Sequence, residues 1–189
     1  MEAPSMAEVV LFHHLRGLTD GVRAFAGGLR AGGHTVHTPD LFDGALPGSL
    51  EEGSALAGTL PERGWEEYDG MVYAGISWGV MTAQRLAQTR PGARGALLYE
   101  ACLPVTGQWA IGPWPQGLPV QVHGMSADPF FGGEGDADAA RELVGLADSA
   151  QLYLYDGDAH LFTDASLPSY DAEATALVLE RSLTMLAAL

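Results

Sequence analysis

Short, continuously apolar runs alternate with amphipathic stretches along most of this chain. A run of four or five apolar residues between turn residues predicts a buried strand, and an apolar stripe at helical spacing predicts a helix that covers it. The predicted strands span residues 9–12, 35–38, 71–74, 95–99, 119–123 and 151–155. The predicted helices span residues 19–31, 50–60, 80–87, 136–146 and 170–189. This alternation predicts an α/β fold with one domain over residues 1–189, built on a doubly wound, mostly parallel sheet of about six strands.

Cap and turn residues mark where these elements begin and end. Thr19 or Asp20 is the expected N-cap of the first helix, and Asp136 begins the fourth helix as an acidic cap. The longest irregular stretch, residues 101–117, follows the fourth strand and is too short for a cap domain. Long loops in compact domains are often functional, and this one leaves the carboxyl end of a strand, where α/β proteins place their sites.

The most informative motif is Gly75-Ile76-Ser77-Trp78-Gly79, which lies between a predicted strand and a predicted helix. This Gly-x-Ser-x-Gly pattern is the nucleophile elbow of α/β-hydrolases, in which a sharp turn lifts the serine hydroxyl above the sheet. The two glycines are needed because the neighbouring backbone packs too closely for a side chain. The next helix points its N-terminus at the serine, which favours developing negative charge. The motif therefore predicts an α/β-hydrolase fold with no large cap domain and Ser77 as nucleophile.

A serine nucleophile needs a base, and the base needs a carboxylate that orients it. In α/β-hydrolases the partners follow in the order serine, acid, histidine, on loops at the carboxyl ends of strands. Asp128 follows the fifth predicted strand and His160 follows the sixth, so both lie at the edge where Ser77 emerges. Asp156 and Asp158 are alternative acids, but they lie on the histidine's own loop. We therefore predict a catalytic triad of Ser77, His160 and Asp128.

The oxyanion of an acyl-transfer intermediate needs two backbone N–H donors. The first is expected from Trp78, directly after the nucleophile, and the second from Leu15, in the loop after the first strand. A metal site at His13 and His14 is disfavoured, because adjacent side chains in an extended segment point in opposite directions. We expect His14 to line the substrate pocket, and we expect no metal ion or organic cofactor to be required.

Several other residues near the predicted strand ends are candidates for substrate binding. Glu100 ends the fourth strand, where its carboxylate either faces the pocket, bonding substrate or the catalytic histidine, or is a solvated strand-end acid. Trp109, Trp114 and Phe130 suggest an apolar or aromatic-lined pocket, although aromatic residues near loops are as often packing. Asp164, farther along the histidine loop, is expected at the surface.

The charge balance is strongly acidic, since nine Lys and Arg residues against 24 Asp and Glu residues give a formal net charge of −15. Such a surface repels nucleic acid and anionic lipid, so we expect neither as a partner.

Cys102 is the only cysteine, which excludes an internal disulfide and a cysteine zinc site. Residues 1–8 lack the basic and apolar regions of a signal peptide, and no apolar run approaches 18 residues, so a cytoplasmic protein without a membrane span is predicted. The sequence leaves the oligomeric state open, a homodimer included.

Taken together, the serine elbow and the loops at residues 123–128 and 158–162 resemble the dienelactone hydrolase family. The resemblance covers almost the whole chain, and residues 13–17 lie where that family has its first oxyanion loop. It implies an enzyme that acts on a small ester or lactone. The family's named member has a cysteine nucleophile where this chain has Ser77, and a glutamate in the oxyanion loop where this chain has His14. These differences argue against dienelactone itself as the substrate.

Three functions are compatible with these residues. The first is a serine hydrolase that cleaves a small ester or lactone through an acyl-enzyme. The second is a non-hydrolytic biosynthetic isomerase or cyclase, which uses the same pocket with His160 or Glu100 as acid–base. The third is a binding protein with a vestigial triad, which the complete set of Ser77, Asp128 and His160 argues against. The sequence does not separate the first two.

Overall fold

The computed structural model describes residues 6–189, in which six strands alternate with five α-helices. The strands are β1 (Glu8–Phe12), β2 (Thr35–His37), β3 (Val72–Ile76), β4 (Gly95–Tyr99), β5 (Val120–Met125) and β6 (Ala150–Tyr155). The helices are α1 (Asp20–Ala31), α2 (Leu50–Ala57), α3 (Gly79–Thr89), α4 (Asp136–Leu146) and α5 (Ala172–Ala187). A short 3-10 turn, Glu66–Tyr68, precedes β3 and was not predicted.

All strand pairings in the sheet are parallel, in the order β2-β1-β3-β4-β5-β6. The chain moves outward from β1 to β2, returns to place β3 on the other side of β1, and then adds the remaining strands in turn. The direction of winding therefore reverses between β1 and β3. Loops that leave the carboxyl ends of two such strands border a crevice where doubly wound proteins bind ligands. The topology thus points to the loops after Phe12 and Ile76.

Each face of the sheet carries its own apolar core. On one face, α3 and α4 pack on strand side chains that include Phe12 and Leu98. On the other face, α1 and α5 cover the alternate strand positions, among them Leu11 and Ile76. Because successive strand side chains point to opposite faces, a strand covered on both sides is apolar at nearly every position. This is why the central strands appear in the sequence as continuous apolar runs.

The observed elements follow the predicted ones closely, but β3 and β5 are longer than predicted. β3 continues to Ile76, which pairs with Tyr99 of β4, so the strand reaches the residue before Ser77. β5 continues through Gly124 to Met125, which pair with the last residues of β6. Glycine is depleted in strands, so pairing with the neighbouring strand, rather than local propensity, sets these ends.

Helix α4 begins differently from the prediction. Its N-cap is Gly135, at φ 103°, and Asp136 is the first helical residue rather than the cap. The Asp136 carboxylate accepts the Cys102 N–H at 3.2 Å, which ties the helix to the loop after β4. Thr19, one of the two predicted caps of α1, does cap that helix, because its hydroxyl accepts the N–H of Val22.

The loop after β4 contains no helix or strand over residues 101–117, so it carries no cap domain. Within the described part of the chain, no helix combines the length and apolar character needed to cross a membrane. The signal-peptide prediction concerned residues 1–8, of which residues 1–5 lie outside the described residues.

Candidate active site

Ser77 occupies a tight turn between β3 and α3, with a left-handed backbone at φ 51°. A Cβ atom on Gly75 would come within 2.5 Å of the Gly79 carbonyl group, and one on Gly79 would overlap the backbone at the end of β1. Both positions therefore require glycine, as the motif predicts. The turn is held by a hydrogen bond from the Ser77 N–H to the carbonyl oxygen of Tyr99 at 2.7 Å.

Three side chains from three strand-end loops meet above the sheet. Oγ of Ser77 lies 2.8 Å from Nε2 of His160, and Nδ1 of His160 lies 2.7 Å from Oδ2 of Asp128. Since a carboxylate only accepts, Nδ1 carries the ring proton and Nε2 accepts the serine hydroxyl proton. The other oxygen of Asp128 accepts the Phe130 N–H at 2.8 Å, and Asp128 is fully buried. The structure thus joins the three predicted triad residues by hydrogen bonds, in the order Ser77, His160, Asp128.

The imidazole of His160 is nearly buried, with 10% of its side chain exposed. Burial alone lowers the pKa of His160. The hydrogen bond to Asp128, together with the negative charges of Glu100 and Asp136, outweighs burial, so the pKa of His160 is raised. A raised pKa makes the neutral ring a stronger base and stabilises the imidazolium that forms when the ring accepts the serine proton.

The two N–H groups predicted for the oxyanion hole lie on loops that the elbow brings together. Trp78 follows Ser77 directly, and the loop that carries Leu15 leaves β1 against Gly79. Helix α2 packs on the same loop, because a Cβ atom on Gly53 would overlap the Leu15 carbonyl. Within residues 6–189, neither the Trp78 N–H nor the Leu15 N–H donates to a protein acceptor. Their role as oxyanion donors stays a prediction.

His14 does not line the substrate pocket, because its ring is fully buried. Its Nδ1 accepts the Arg16 N–H at 3.1 Å, so Nε2 carries the proton and donates to Oδ2 of Asp164 at 2.8 Å. Its carbonyl oxygen accepts the Gly17 N–H at 3.1 Å. The prediction that His14 binds substrate is therefore wrong. Both ring nitrogens instead hold the loop that carries Leu15.

Asp164 is buried as well, contrary to the expectation of a surface carboxylate. It accepts hydrogen bonds from His14, from the Thr19 hydroxyl at 2.5 Å, and from the Ser166 N–H and hydroxyl at 2.8 and 2.6 Å. Burial alone raises the pKa of Asp164, but the hydrogen bonds from His14, Ser166 and Thr19 outweigh it and lower the pKa to about 2. A Cβ atom on Gly21 would overlap this carboxylate, so α1 packs directly on it. Asp164 thus stays ionised at neutral pH inside the protein.

Glu100 directly follows β4 with a left-handed backbone, at φ 65°, and its side chain is buried. Its carboxylate accepts the N–H of Leu161 and the hydroxyl of Thr163, the latter at 2.8 Å. Oε2 lies 3.9 Å from Nδ1 of His160. The carboxylate is buried against the loop that follows His160 rather than at an open surface, so the structure does not bring it into the predicted contact with substrate. The alternative of a solvated strand-end acid is wrong, and only its proximity to the histidine is as expected.

The three aromatic candidates occupy different environments. Trp114 belongs to the apolar core on the α3 side, and its indole N–H donates to the Leu118 carbonyl at 2.9 Å, so its predicted substrate contact is wrong. Trp109 is 81% exposed and borders a large cavity. Phe130 lies against His160, with ring centroids 4.6 Å apart, and is 40% exposed. Trp109 and Phe130 therefore remain candidates for substrate contact.

A cavity of about 630 Å³ lies beside the elbow, along the start of α3. We call it the indole groove, because three indole rings line it, those of Trp65, Trp78 and Trp109. The lining includes Trp78, the residue after Ser77, but not Ser77 or His160 themselves, so the groove adjoins the elbow on the side of Trp78. The charged residues of its wall are Asp43, Glu62, Arg63 and Arg85. The sequence indicated the apolar character of this pocket but not the contribution of Trp65, which lies far from the motifs.

Glu100, Asp128 and His160 have donor atoms within 4.8 Å of one another, a spacing that can also hold a metal ion. Each of these atoms already has a protein partner or faces the ring proton on Nδ1 of His160. A cation bound at Nδ1 would displace the proton that Asp128 accepts. The donor set therefore fits proton chemistry better than metal binding.

No protein-family model matches this chain, and no curated protein matches it significantly. Solved structures do match it over its whole length. A provisionally named dienelactone hydrolase from Klebsiella pneumoniae has a TM-score of 0.71 at 17% identity, over 100% of this chain and 90% of that one. A dienelactone hydrolase-like promiscuous phosphotriesterase from metagenomic libraries has a TM-score of 0.66 at 19% identity, over 100% and 88% of the chains. The esterase Est2 of Thermogutta terrifontis, with propionate bound, has a TM-score of 0.63 at 15% identity, over 99% and 85%.

Identities of this size establish the fold. The match agrees with the all-parallel sheet, the strand order and the elbow between β3 and α3. The comparison also confirms, at the level of fold, the resemblance to dienelactone hydrolases found in the sequence. This chain has an α/β-hydrolase fold and is similar over its full length to dienelactone hydrolase-like structures.

Proposed function

We propose that this protein is a serine hydrolase that cleaves a carboxylic ester through an acyl-enzyme. The observation that carries the proposal is the hydrogen-bonded path from Ser77 Oγ through His160 to Asp128, with heavy-atom distances of 2.8 and 2.7 Å. Structures of the same fold that are named as esterases support the same class of reaction.

In the proposed acylation step, Oγ of Ser77 attacks the ester carbonyl carbon while its proton passes to Nε2 of His160. The Nδ1 proton stays between the ring and Asp128, whose charge stabilises the imidazolium. The N–H groups of Trp78 and Leu15 bind the oxyanion. His160 then protonates the leaving alkoxide, and later takes a proton from the water that hydrolyses the acyl-enzyme.

The indole groove favours an ester with an extended apolar group. Its volume of about 630 Å³ lies within the range of pockets that enclose ligands larger than a small lactone. Burial of apolar surface contributes roughly 25 cal/mol per Å², so an aryl or medium-chain group gains most from the rings of Trp65, Trp78 and Trp109. A carboxylic ester with an aryl or alkyl group of that size is therefore the preferred substrate class, ahead of a small lactone.

The isomerase or cyclase alternative would use the same pocket with His160 or Glu100 as acid–base. Glu100 is disfavoured in that role, because its carboxylate is buried behind His160 and accepts hydrogen bonds from Leu161 and Thr163. The described site contains one ring, that of His160, placed to exchange a proton with a ligand next to Ser77. Ester hydrolysis therefore remains the preferred proposal.

The test is hydrolysis of p-nitrophenyl acetate, p-nitrophenyl octanoate, 2-naphthyl butyrate and a simple γ-lactone by the purified protein. We expect turnover of the esters, with the higher kcat/KM for the octanoate and naphthyl substrates. Ser77→Ala is expected to lower kcat by about 10³-fold or more. Ser126→Ala, at an exposed serine two residues before Asp128, is the matched control. Equal turnover by wild type and Ser77→Ala would overturn the proposal.

A further inference from the structure

Two carboxylates face the same nitrogen of His160. Asp128 accepts the Nδ1 proton at 2.7 Å, and Oε2 of Glu100 lies 3.9 Å from the same Nδ1. They reach it from different strand ends, because Asp128 follows β5 whereas Glu100 is the first residue after β4. A serine, histidine, acid mechanism uses one carboxylate, so the second is left without an assigned role.

Glu100 also holds the backbone that follows His160. Its two oxygens accept the N–H of Leu161, the hydroxyl of Thr163 at 2.8 Å and the N–H of Thr163 at 3.4 Å. Leu161 has a left-handed backbone, at φ 60°, which a leucine adopts only under constraint. The carboxylate therefore fixes the turn from which the His160 ring projects. The Glu100 N–H in turn donates to the carbonyl oxygen of His123, in β5, at 2.6 Å. Glu100 therefore connects the turn after His160 to the sheet.

The charged groups around His160 and Glu100 are mostly negative. The groups that act on His160 are Asp128 from the loop after β5, Glu100 from the position directly after β4, and Asp136 from α4. Glu100 itself faces His160 and, from the loop after β1, His14. Burial raises the pKa of Glu100 and outweighs the opposing effects of the His160 charge and the hydrogen bond from Thr163, so the pKa of Glu100 is raised overall. Protonation of His160 therefore favours ionised Glu100, which links the charge of the carboxylate to the step that forms the imidazolium.

We propose that Glu100 is a positioning residue of the triad: it fixes the His160 loop, supplies a second negative charge to the imidazolium, and accepts the Nδ1 proton when Asp128 is removed. No new bond is made in this role, since the serine proton still passes to Nε2, and the imidazolium that then forms favours the ionised form of Glu100. The inference rests on the proposed serine hydrolase mechanism, because it concerns the base of that mechanism.

The first arm of the test removes the charge of Glu100 while preserving its shape. In Glu100→Gln, the amide oxygen can still accept the Leu161 N–H, and the amide nitrogen can donate to the Thr163 hydroxyl. Loss of a nearby negative charge lowers the pKa of His160, so the acid limb of the kcat/KM profile should move to lower pH by about 0.5–1 unit. Because the histidine is then a weaker base, the plateau value of kcat/KM should fall about 5- to 30-fold. Thr106→Val, which removes an exposed hydrogen bond to Glu142 and leaves every contact of Glu100 intact, is the control and should leave the acid limb in place.

The second arm is a double-mutant cycle with Asp128→Asn. If Glu100 replaces Asp128, the single variant should lose only about 10²-fold in kcat, less than the ~10⁴-fold expected for a triad without its acid. The variant with both substitutions should then lose at least ~10-fold more than the product of the two single effects. A multiplicative cycle, with an unmoved acid limb in Glu100→Gln, would reduce Glu100 to a purely structural residue and overturn the proposal.

Proton NMR of the His160 ring gives a readout that needs no turnover. The pKa of His160 should fall in Glu100→Gln, and a downfield Nδ1–H signal should persist in Asp128→Asn. If Glu100→Gln does not fold, Asp128→Asn alone decides the question. In that variant, loss of both the downfield Nδ1–H signal and the residual esterase rate would overturn the proposal. Because the pKa is measured without substrate, failure of ester hydrolysis and failure of the Glu100 role are distinguished.

Discussion

The ring of His14 donates a hydrogen bond to the buried carboxylate of Asp164, across 2.8 Å and 150 positions of sequence. This bond joins the loop after β6, which carries His160, to the loop after β1, which carries Leu15. The base and one proposed oxyanion donor are therefore fixed relative to each other by a charge-assisted contact that touches neither. Such contacts set the precision of a site, because the reacting groups have to be held within fractions of an ångström.

Asp164→Asn should destabilise the protein and lower activity together. The folded pKa of about 2 lies below that of an unfolded aspartate, so the contribution is present above about pH 4 and is lost as pH falls towards 2. We expect a loss of about 2 kcal/mol in the free energy of unfolding at pH 7, with a smaller difference from wild type near pH 3. A fall of roughly 10-fold in kcat is expected from the loosened oxyanion loop.

Denaturant unfolding at both pH values and esterase kinetics measure these changes. Asp158→Asn is the matched control, because Asp158 is an exposed aspartate of the same loop. If Asp164→Asn were as stable as that control at pH 7, the buried network would not hold the two loops.

The strands, the main helices and the elbow could be predicted because their signals are local. Continuous apolar runs follow from a sheet covered on both faces, and the glycine requirement at Gly75 and Gly79 follows from a turn of five residues. The order of the triad loops along the chain is a property of the fold, so Asp128 and His160 could be placed by strand ends alone. Each of these inferences needed no knowledge of side-chain direction.

The roles of His14 and Glu100 could not be predicted, because they depend on distant partners. Glu100 bonds Leu161 and Thr163, which lie 61 and 63 positions away. Strand-end position indicates that a side chain is near a site, but it does not say whether the side chain faces ligand or protein. Trp114 shows the same limit, because its short-range partner places the ring in the core rather than in the groove.

Gly75→Ala should destabilise the elbow itself. The added Cβ would lie 2.5 Å from backbone atoms of Gly79, and backbone yields less readily than a side chain. We expect a loss of about 3 kcal/mol or more in the free energy of unfolding, or no soluble protein. Gly27→Ala, inside α1 with no atom within 4 Å of the new Cβ, is the control and should gain up to about 1 kcal/mol. Thermal unfolding followed by circular dichroism compares the two, and equal melting temperatures would contradict the predicted clash.

Asp136→Asn should stabilise the protein more at pH 7 than at pH 4. Burial raises the pKa of Asp136 to about 6, above that of an unfolded aspartate, so wild type loses stability as pH rises from about 4 to 6. Asparagine avoids this loss and still accepts the Cys102 N–H. The gain at pH 7 relative to pH 4 should be on the order of 1 kcal/mol, or about 2–4 °C in Tm.

Differential scanning fluorimetry at the two pH values measures the Asp136 effect. Asp138→Asn, an exposed position in the same first turn of α4, should show no such pH-dependent gain. A Tm difference for Asp136→Asn that is constant with pH would mean that Asp136 titrates normally.

Trp109→Ala should change substrate preference without changing stability. The ring is 81% exposed, so its removal should alter the free energy of unfolding by less than about 0.5 kcal/mol. Loss of one wall of the indole groove should raise KM for the naphthyl and octanoate esters by about 3- to 10-fold and leave KM for the acetate ester nearly unchanged. Steady-state kinetics on this series provide the measurement, with Leu146→Ala, an exposed residue of α4, as control. Equal KM changes for acetate and octanoate would place the apolar group of the substrate outside the groove.

The central claim is that Ser77 is a nucleophile activated by His160, and active-site labelling tests it most directly. The protein is treated with a fluorophosphonate at pH 7.5, and the modified peptide is identified by mass spectrometry. We predict one adduct, on the Oγ of Ser77, no adduct in Ser77→Ala, and labelling slowed by about 10³-fold in His160→Ala. An unlabelled wild-type protein, an adduct on another residue, or unchanged labelling in His160→Ala would contradict the claim.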